Sequence, residues 1–150
     1  MPGYLEATLD KFIFKVAIDR VYSPDGIWLQ DLGSCRVRVG VTDFVQQHSG
    51  DVAFASAKAA GTALAAGDEF AVLETVKVNV SLPLPITGTI LEVNPALDAN
   101  PEVVNQSPYG DGWLAVIEAE NWEEDRTSLL GPPDYLSLMR AQAQQELDQA

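Results

Sequence analysis

One cysteine and one histidine occur in the 150 residues of this chain. A solitary Cys35 excludes a disulfide framework and a multi-cysteine metal cluster. With a single histidine, zinc coordination would fall to carboxylates, and no spacing of acids resembles such a site. No apolar run approaches the roughly 18 residues that a membrane-spanning helix requires. The opening residues, Met1-Pro2-Gly3-Tyr4-Leu5-Glu6, lack the basic and apolar stretches of a secretory signal. A reducing, cytoplasmic setting is the expectation that follows. Bases are also scarce, with 9 Lys and Arg against 22 Asp and Glu and a net charge of −13. Phosphate backbones and anionic lipid surfaces are bound through Lys and Arg, so nucleic acid and membrane are excluded as partners. No base falls between Lys77 and Arg126, a stretch that holds Glu92, Asp98, Glu102, Asp111, Glu118 and Glu120. That stretch reads either as a solvated face or as a surface that docks on basic partners.

Signatures of catalysis are missing as well. The glycines form neither a phosphate-binding loop nor a dinucleotide fingerprint, and Asp111-Gly112 is too short for a calcium loop. Cys35 and His48 are the sole candidates for a thiol nucleophile and its base. Cys35 stands in phase with the apolar residues Val37, Val39 and Val41, which predicts a small buried hydrophobe. Nothing assembles a nucleophile, an acid and a base into one site, so a non-enzymatic role is expected.

What is present is a globular composition, 47% hydrophobic, in a length suited to one domain. Short alternating runs dominate. Phe12, Phe14, Val16 and Ile18 alternate with other residues up to the turn signal Ser23-Pro24-Asp25-Gly26, which predicts a strand. Ile27–Gln30 and Cys35–Val41 read as an antiparallel pair with one wet face. Thr42-Asp43 precedes a short helix over 44–48 that a side-chain oxygen of the pair caps, and 52–55 restarts extended structure. From Val72 to Ile86 apolar residues recur at period two, with Lys77 in the opposite phase on the solvent side of a long strand pair or hairpin. Further strands are predicted over 89–93 and 113–118. Asn121 with Glu124 three residues on suggests a capping box. Gly131-Pro132-Pro133 stops that helix, and Asp134 caps a second one with Leu136, Met139, Ala143 and Leu147 on its packing stripe. The reading is mostly β with short helices and a C-terminal helical segment.

Lys77 stands alone among valines in Leu73-Glu74-Thr75-Val76-Lys77-Val78. It is either a solubilising edge lysine or an amine presented at a hairpin tip for covalent modification. Around it the chain resembles the H-protein family, the lipoyl carriers of the glycine cleavage system. The resemblance covers roughly Tyr22 to Met139. Its blocks run in order: Trp28-Leu29, Val39-Gly40-Val41-Thr42-Asp43, Ser49-Gly50-Asp51-Val52, Leu73–Lys77, Pro85–Leu97, Asn100–Asn105 and Pro108–Leu114. It implies a barrel-sandwich hybrid fold in one carrier domain over 1–150, with an N-terminal extension over 1–24, a core over 25–120 and helices over 121–150. It further implies lipoate in amide linkage on Lys77, with Glu74 read by a lipoate ligase or a lipoyl/octanoyl transferase. His48 matches a histidine that lies near the lipoyl arm in some members; as residues alone show it, it is equally an ordinary helix-end residue.

The implied partners are glycine decarboxylase, aminomethyltransferase and dihydrolipoyl dehydrogenase, served by a monomeric carrier. Family members commonly have a glutamate where this chain has Ile27 and an aspartate where it has Ser81. Both carboxylates are suited to an aminomethyl-loaded arm, so weaker protection of that cargo is expected here. Two other readings stay open: a lipoate-binding protein that carries sulfur intermediates for a heterodisulfide-reductase-like complex, and a lipoate-delivery or binding module with Lys77 unmodified. A biotin carrier would have methionines beside the lysine, where this chain has Val76 and Val78.

Overall fold

The structure, a computed structural model, describes residues 3–149. Short alternating runs punctuated by Gly, Pro and Asp give short antiparallel strands. β1 (Tyr4–Leu9) and β2 (Phe12–Ala17) form a hairpin with Leu9 opposite Phe12. β3 (Val21–Tyr22) lies beside β4 (Ile27–Gly33), which turns into β5 (Arg36–Val41). Helix α1 (Asp43–Ser49) leads to β6 (Val52–Ala57), β7 (Ala63–Leu64), β8 (Glu69–Thr75), β9 (Asn79–Pro83) and β10 (Gly88–Val93). Two one-turn helices, α2 (Ala96–Ala99) and α3 (Val103–Gln106), precede β11 (Ala115–Ala119). The chain finishes with α4 (Trp122–Asp125), a 3-10 turn over Arg126–Ser128 and the long α5 (Pro132–Gln149). Among the described residues no helix is long and apolar enough to cross a membrane.

A six-stranded sheet in the order β3-β4-β5-β11-β10-β7 faces a three-stranded sheet in the order β6-β8-β9. Ile27, Leu29, Val37, Val39, Ile90 and Ile117 from the first meet Ala55, Ala71, Leu73 and Leu82 from the second in one buried cluster. Adjacent residues of a strand point to opposite faces. Ile27 and Leu29 therefore fill the sandwich, while Trp28 between them joins a second cluster with Phe14, Val16, Phe44, Tyr135 and Met139. That cluster fastens the β1–β2 hairpin and α5 to the outside of the large sheet. Gly40 is required there, since a Cβ on it would lie 2.5 Å from the Trp28 ring.

Several expectations need correction. Cys35 is exposed, not buried. Ser34 and Cys35 form the two-residue turn between β4 and β5, with φ of +54° and +62°; a type I′ turn has positive φ at both positions, which twists Cys35 out of the strand's apolar phase. The period of two does not run unbroken from Val72 to Ile86. Turning on two residues, Val76 and Lys77, pairs odd positions of β8 with even positions of β9, such as Leu73 with Val80 and Ala71 with Leu82. Inward residues are thus odd before the tip and even after it, and Val76 and Val78 are exposed. Asn121 makes no side-chain cap bond to α4. Pro132 opens α5, so Asp134 lies in its first turn and does not cap it; proline suits a first helical turn because its missing N–H has no partner there anyway. The strand β1 lies in a segment for which no strand was expected.

Candidate functional site: an exposed lysine between two clefts

The β8–β9 tip has a specific local cause. Most two-residue hairpin turns need positive φ, which a β-branched residue resists. Among the described residues Val76 and Lys77 do not adopt it. The Thr75 hydroxyl supplies the missing closure. It accepts from Lys77 N at 3.2 Å and Val78 N at 2.9 Å, and donates to the Val78 carbonyl at 2.8 Å. From outside the hairpin, Val76 N donates to the Asp51 carbonyl at 3.1 Å. With the backbone bond from Thr75 N to the Val78 carbonyl at 2.9 Å, five hydrogen bonds fix the backbone that carries Lys77.

The Lys77 side chain is exposed and reaches toward the end of α1. Its Nζ donates to the His48 carbonyl at 3.2 Å, one of the carbonyls left without a helical partner at a C-terminus. Gly50, at φ +88°, ends α1 there and leaves room beside Lys77, whose Cβ would lie 3.8 Å from a Cβ at position 50. Lys77 makes no ion pair among the described residues.

His48 is thus brought against Lys77 through its backbone carbonyl. Its ring stacks on Phe44 at 5.8 Å, and Nδ1 lies 2.9 Å from Glu146 Oε2 on α5. Both partners are about half exposed, at 48% and 46%, so the pair is worth about 0–1 kcal/mol. Glu74 lies apart from these two, opposite Asn79 on the outward face of β8 and beside the exposed Phe54 of β6.

Two clefts meet at His48 and Glu146. One of ≈ 320 Å³ is bounded by Phe12, Phe14, Phe44, Lys77 and Leu147. The other, of ≈ 650 Å³, is bounded by Asp25, Val78, Asn79, Ser81, Gln142 and Gln145. Of the two positions where a carboxylate is missing, Ile27 is fully buried in the sandwich core and presents nothing to either cleft. Ser81 is exposed and donates to Glu69 Oε1 at 2.6 Å, but Glu69 itself borders neither cleft.

The wall that α1 forms is held from behind. Thr42 caps the helix, its Oγ1 accepting from Val45 N at 3.3 Å and lying 2.9 Å from the Tyr135 hydroxyl. Burial pushes that hydroxyl up to about 12, against the weaker lowering effect of its bond to Thr42. Asp43 and Gln47 bind the β2 edge at Lys15 N and the Ile13 carbonyl, both at 2.9 Å. Sequence reading missed Phe12, Phe14, Glu146 and Leu147 as cleft walls. The apolar phase of Phe12 and Phe14 in β2 and of Leu147 in α5 was visible, but not that the two segments converge beside Lys77.

A family profile described as Glycine cleavage H-protein matches residues 20–142. The chain belongs to the glycine cleavage H-protein family. It is 36% identical over 126 residues to the glycine cleavage system H protein of Carboxydothermus hydrogenoformans, covering 84% of this chain and 95% of that one. Against the protein of the same name from Geobacillus thermodenitrificans the identity is 43% over 103 residues, 69% of this chain and 80% of the relative. The crystal structure of a glycine cleavage system H protein from Mycobacterium marinum superposes with a TM-score of 0.70 at 30% identity, covering 80% of this chain and 95% of that one. The two facing sheets are the barrel-sandwich fold of a lipoyl domain.

Proposed function

We propose that Lys77 bears lipoate in amide linkage and that this H-protein family member is the mobile carrier of a glycine cleavage system. The observation that supports this most is the exposed amine on a hydrogen-bonded hairpin tip, bordering one cleft and next to Val78 of a second, in a chain of this family. The residues present fit the group: an exposed primary amine free of ion pairs among the described residues, on a hydrogen-bonded hairpin tip, with a cleft beside it. When attached, lipoate supplies a reversible disulfide that takes up and gives up an aminomethyl group.

The rest is positioning by the chain itself. The Thr75 hydroxyl holds the tip backbone, and the exposed lysine side chain lies at the wall of the smaller cleft. Tethering on a stiff scaffold raises the local concentration of the carried group at each partner surface. Those partners are glycine decarboxylase, which loads the arm, aminomethyltransferase, which unloads it, and dihydrolipoyl dehydrogenase, which restores the disulfide. Glu74, on the outward face three residues before the lysine, is a recognition point for a lipoate ligase or lipoyl/octanoyl transferase. In this reading the carrier is a cytoplasmic monomer, to which a lone thiol and a strongly acidic surface are suited. The family match favours this role over a sulfur-carrying one.

Glycine–bicarbonate exchange with glycine decarboxylase tests the proposal. The lipoylated protein should support exchange, and Lys77→Arg should abolish it while keeping the circular dichroism of the parent. Exchange at the parental rate by Lys77→Arg would remove Lys77 from the role.

A further inference from the structure

The family match ends at residue 142 and begins at residue 20. The smaller cleft is built largely from what lies outside those limits. Phe12 and Phe14 come from the β1–β2 hairpin, and Ala143, Glu146 and Leu147 from the last turns of α5. Only Phe44, Gln47 and His48 of α1, together with Lys77, belong to the matched region. The chain's two additions therefore converge on one place, and that place touches the candidate attachment lysine.

The chemistry of this cleft differs from that of its neighbour. Its floor is hydrocarbon and aromatic, with Phe14 and Phe44 edge to face at 5.4 Å and Phe12 stacked on Phe14 at 6.0 Å. Phe12 remains 37% exposed. The larger cleft, across the His48–Glu146 pair, presents Asp25, Asn79, Ser81, Gln142 and Gln145. The smaller cleft's volume of ≈ 320 Å³ falls in the roughly 300–1,000 Å³ range of sites that hold small molecules. Polarizable sulfur packs favourably at the edges of aromatic rings.

We infer that the β1–β2 hairpin and the end of α5 form a berth for the uncharged, oxidised lipoyl arm of the same molecule, distinct from the polar cleft beside Ser81. This rests on the assignment of lipoate to Lys77. The occupant is set by the tether. Lys77 is itself a wall of the cleft, and its Nζ lies 3.2 Å from the His48 carbonyl at the rim, so an acyl chain on that nitrogen starts at the mouth. Seating the ring against Phe12, Phe14 and Leu147 removes its apolar surface from water and shields its sulfurs from solution nucleophiles.

The test uses the full chain, expressed with lipoate and a lipoate ligase. Intact mass first establishes the lipoyl increment and its loss in Lys77→Arg; absence of the increment overturns the lysine assignment and not the berth alone. With the increment present, side-chain resonances of Phe12, Phe14 and Leu147 should shift between the unmodified and lipoylated protein. Reduction of the arm by a water-soluble phosphine should be at least about threefold faster in Phe12→Ala and in Leu147→Ser, because access to the sulfur limits thiol and phosphine attack. The two variants lie on different segments, at partly exposed positions, so a folding defect in one leaves the other to decide. Shifts confined to Asp25, Asn79 and Ser81, or one reduction rate for the parent and both variants, would overturn the berth while leaving lipoylation of Lys77 intact.

Discussion

At the scale of single residues, Thr75 does the work that a glycine usually does in a tight hairpin. Its hydroxyl closes the tip from the side chain, so Val76 and Lys77 keep ordinary backbone conformations. Thr75→Val keeps the shape and removes all three bonds. Net hydrogen-bond contributions are about 0.5–1.5 kcal/mol each, and less where water can replace them. A loss of about 1–2 kcal/mol is therefore expected in urea unfolding, together with slower acquisition of the lipoyl mass at an unchanged Lys77. A variant equal to the parent in both would show that the tip is held by the Val76–Asp51 bond and strand pairing alone.

Among the elements, the β1–β2 hairpin contributes most that is unusual. Phe14 is its anchor, buried against Phe44 in the second cluster. Phe14→Ala should cost about 3–5 kcal/mol if the site cannot collapse, with β1 and β2 amides losing protection from exchange before those of the sandwich. Equal exchange throughout would make the hairpin part of one cooperative unit with the sheets. Much of the element order was legible: the strands of the sandwich, the Thr42-capped α1 and the apolar stripe of α5 each carry a local pattern. Lys77 and its neighbourhood were also legible, because the motif and turn are contiguous in sequence. The parity change at the β8–β9 tip was not, since alternating valines run straight through it and only Leu73, out of phase, betrays the turn. The exposure of Cys35 was hidden for a similar reason, as two-residue turns are indistinguishable from strand ends when they lack glycine. Convergence of Phe12 with Leu147 lies beyond any local pattern, for it depends on where α5 docks.

For the molecule as a whole, buried tyrosines set the alkaline limit of stability. Burial raises the Tyr135 hydroxyl from 10.0 to about 12, and burial likewise raises Tyr22, which stacks on Tyr135 at 4.6 Å. The folded state thus holds protons that the unfolded chain has released. The stabilisation is fully present below pH 10 and is lost as pH rises through the folded value near 12. Thermal unfolding scans should show a falling Tm across pH 10–12, and Tyr135→Phe should flatten that fall; a Tm independent of pH in this window would contradict the packing of the second cluster. The account as a whole turns on one covalent bond. Peptide mapping by mass spectrometry, after expression with lipoate and a ligase, measures it directly. The lipoyl increment should fall on the peptide that contains Lys77 and vanish in Lys77→Arg; an increment on Lys58 or another lysine, or none on a folded protein, would contradict it.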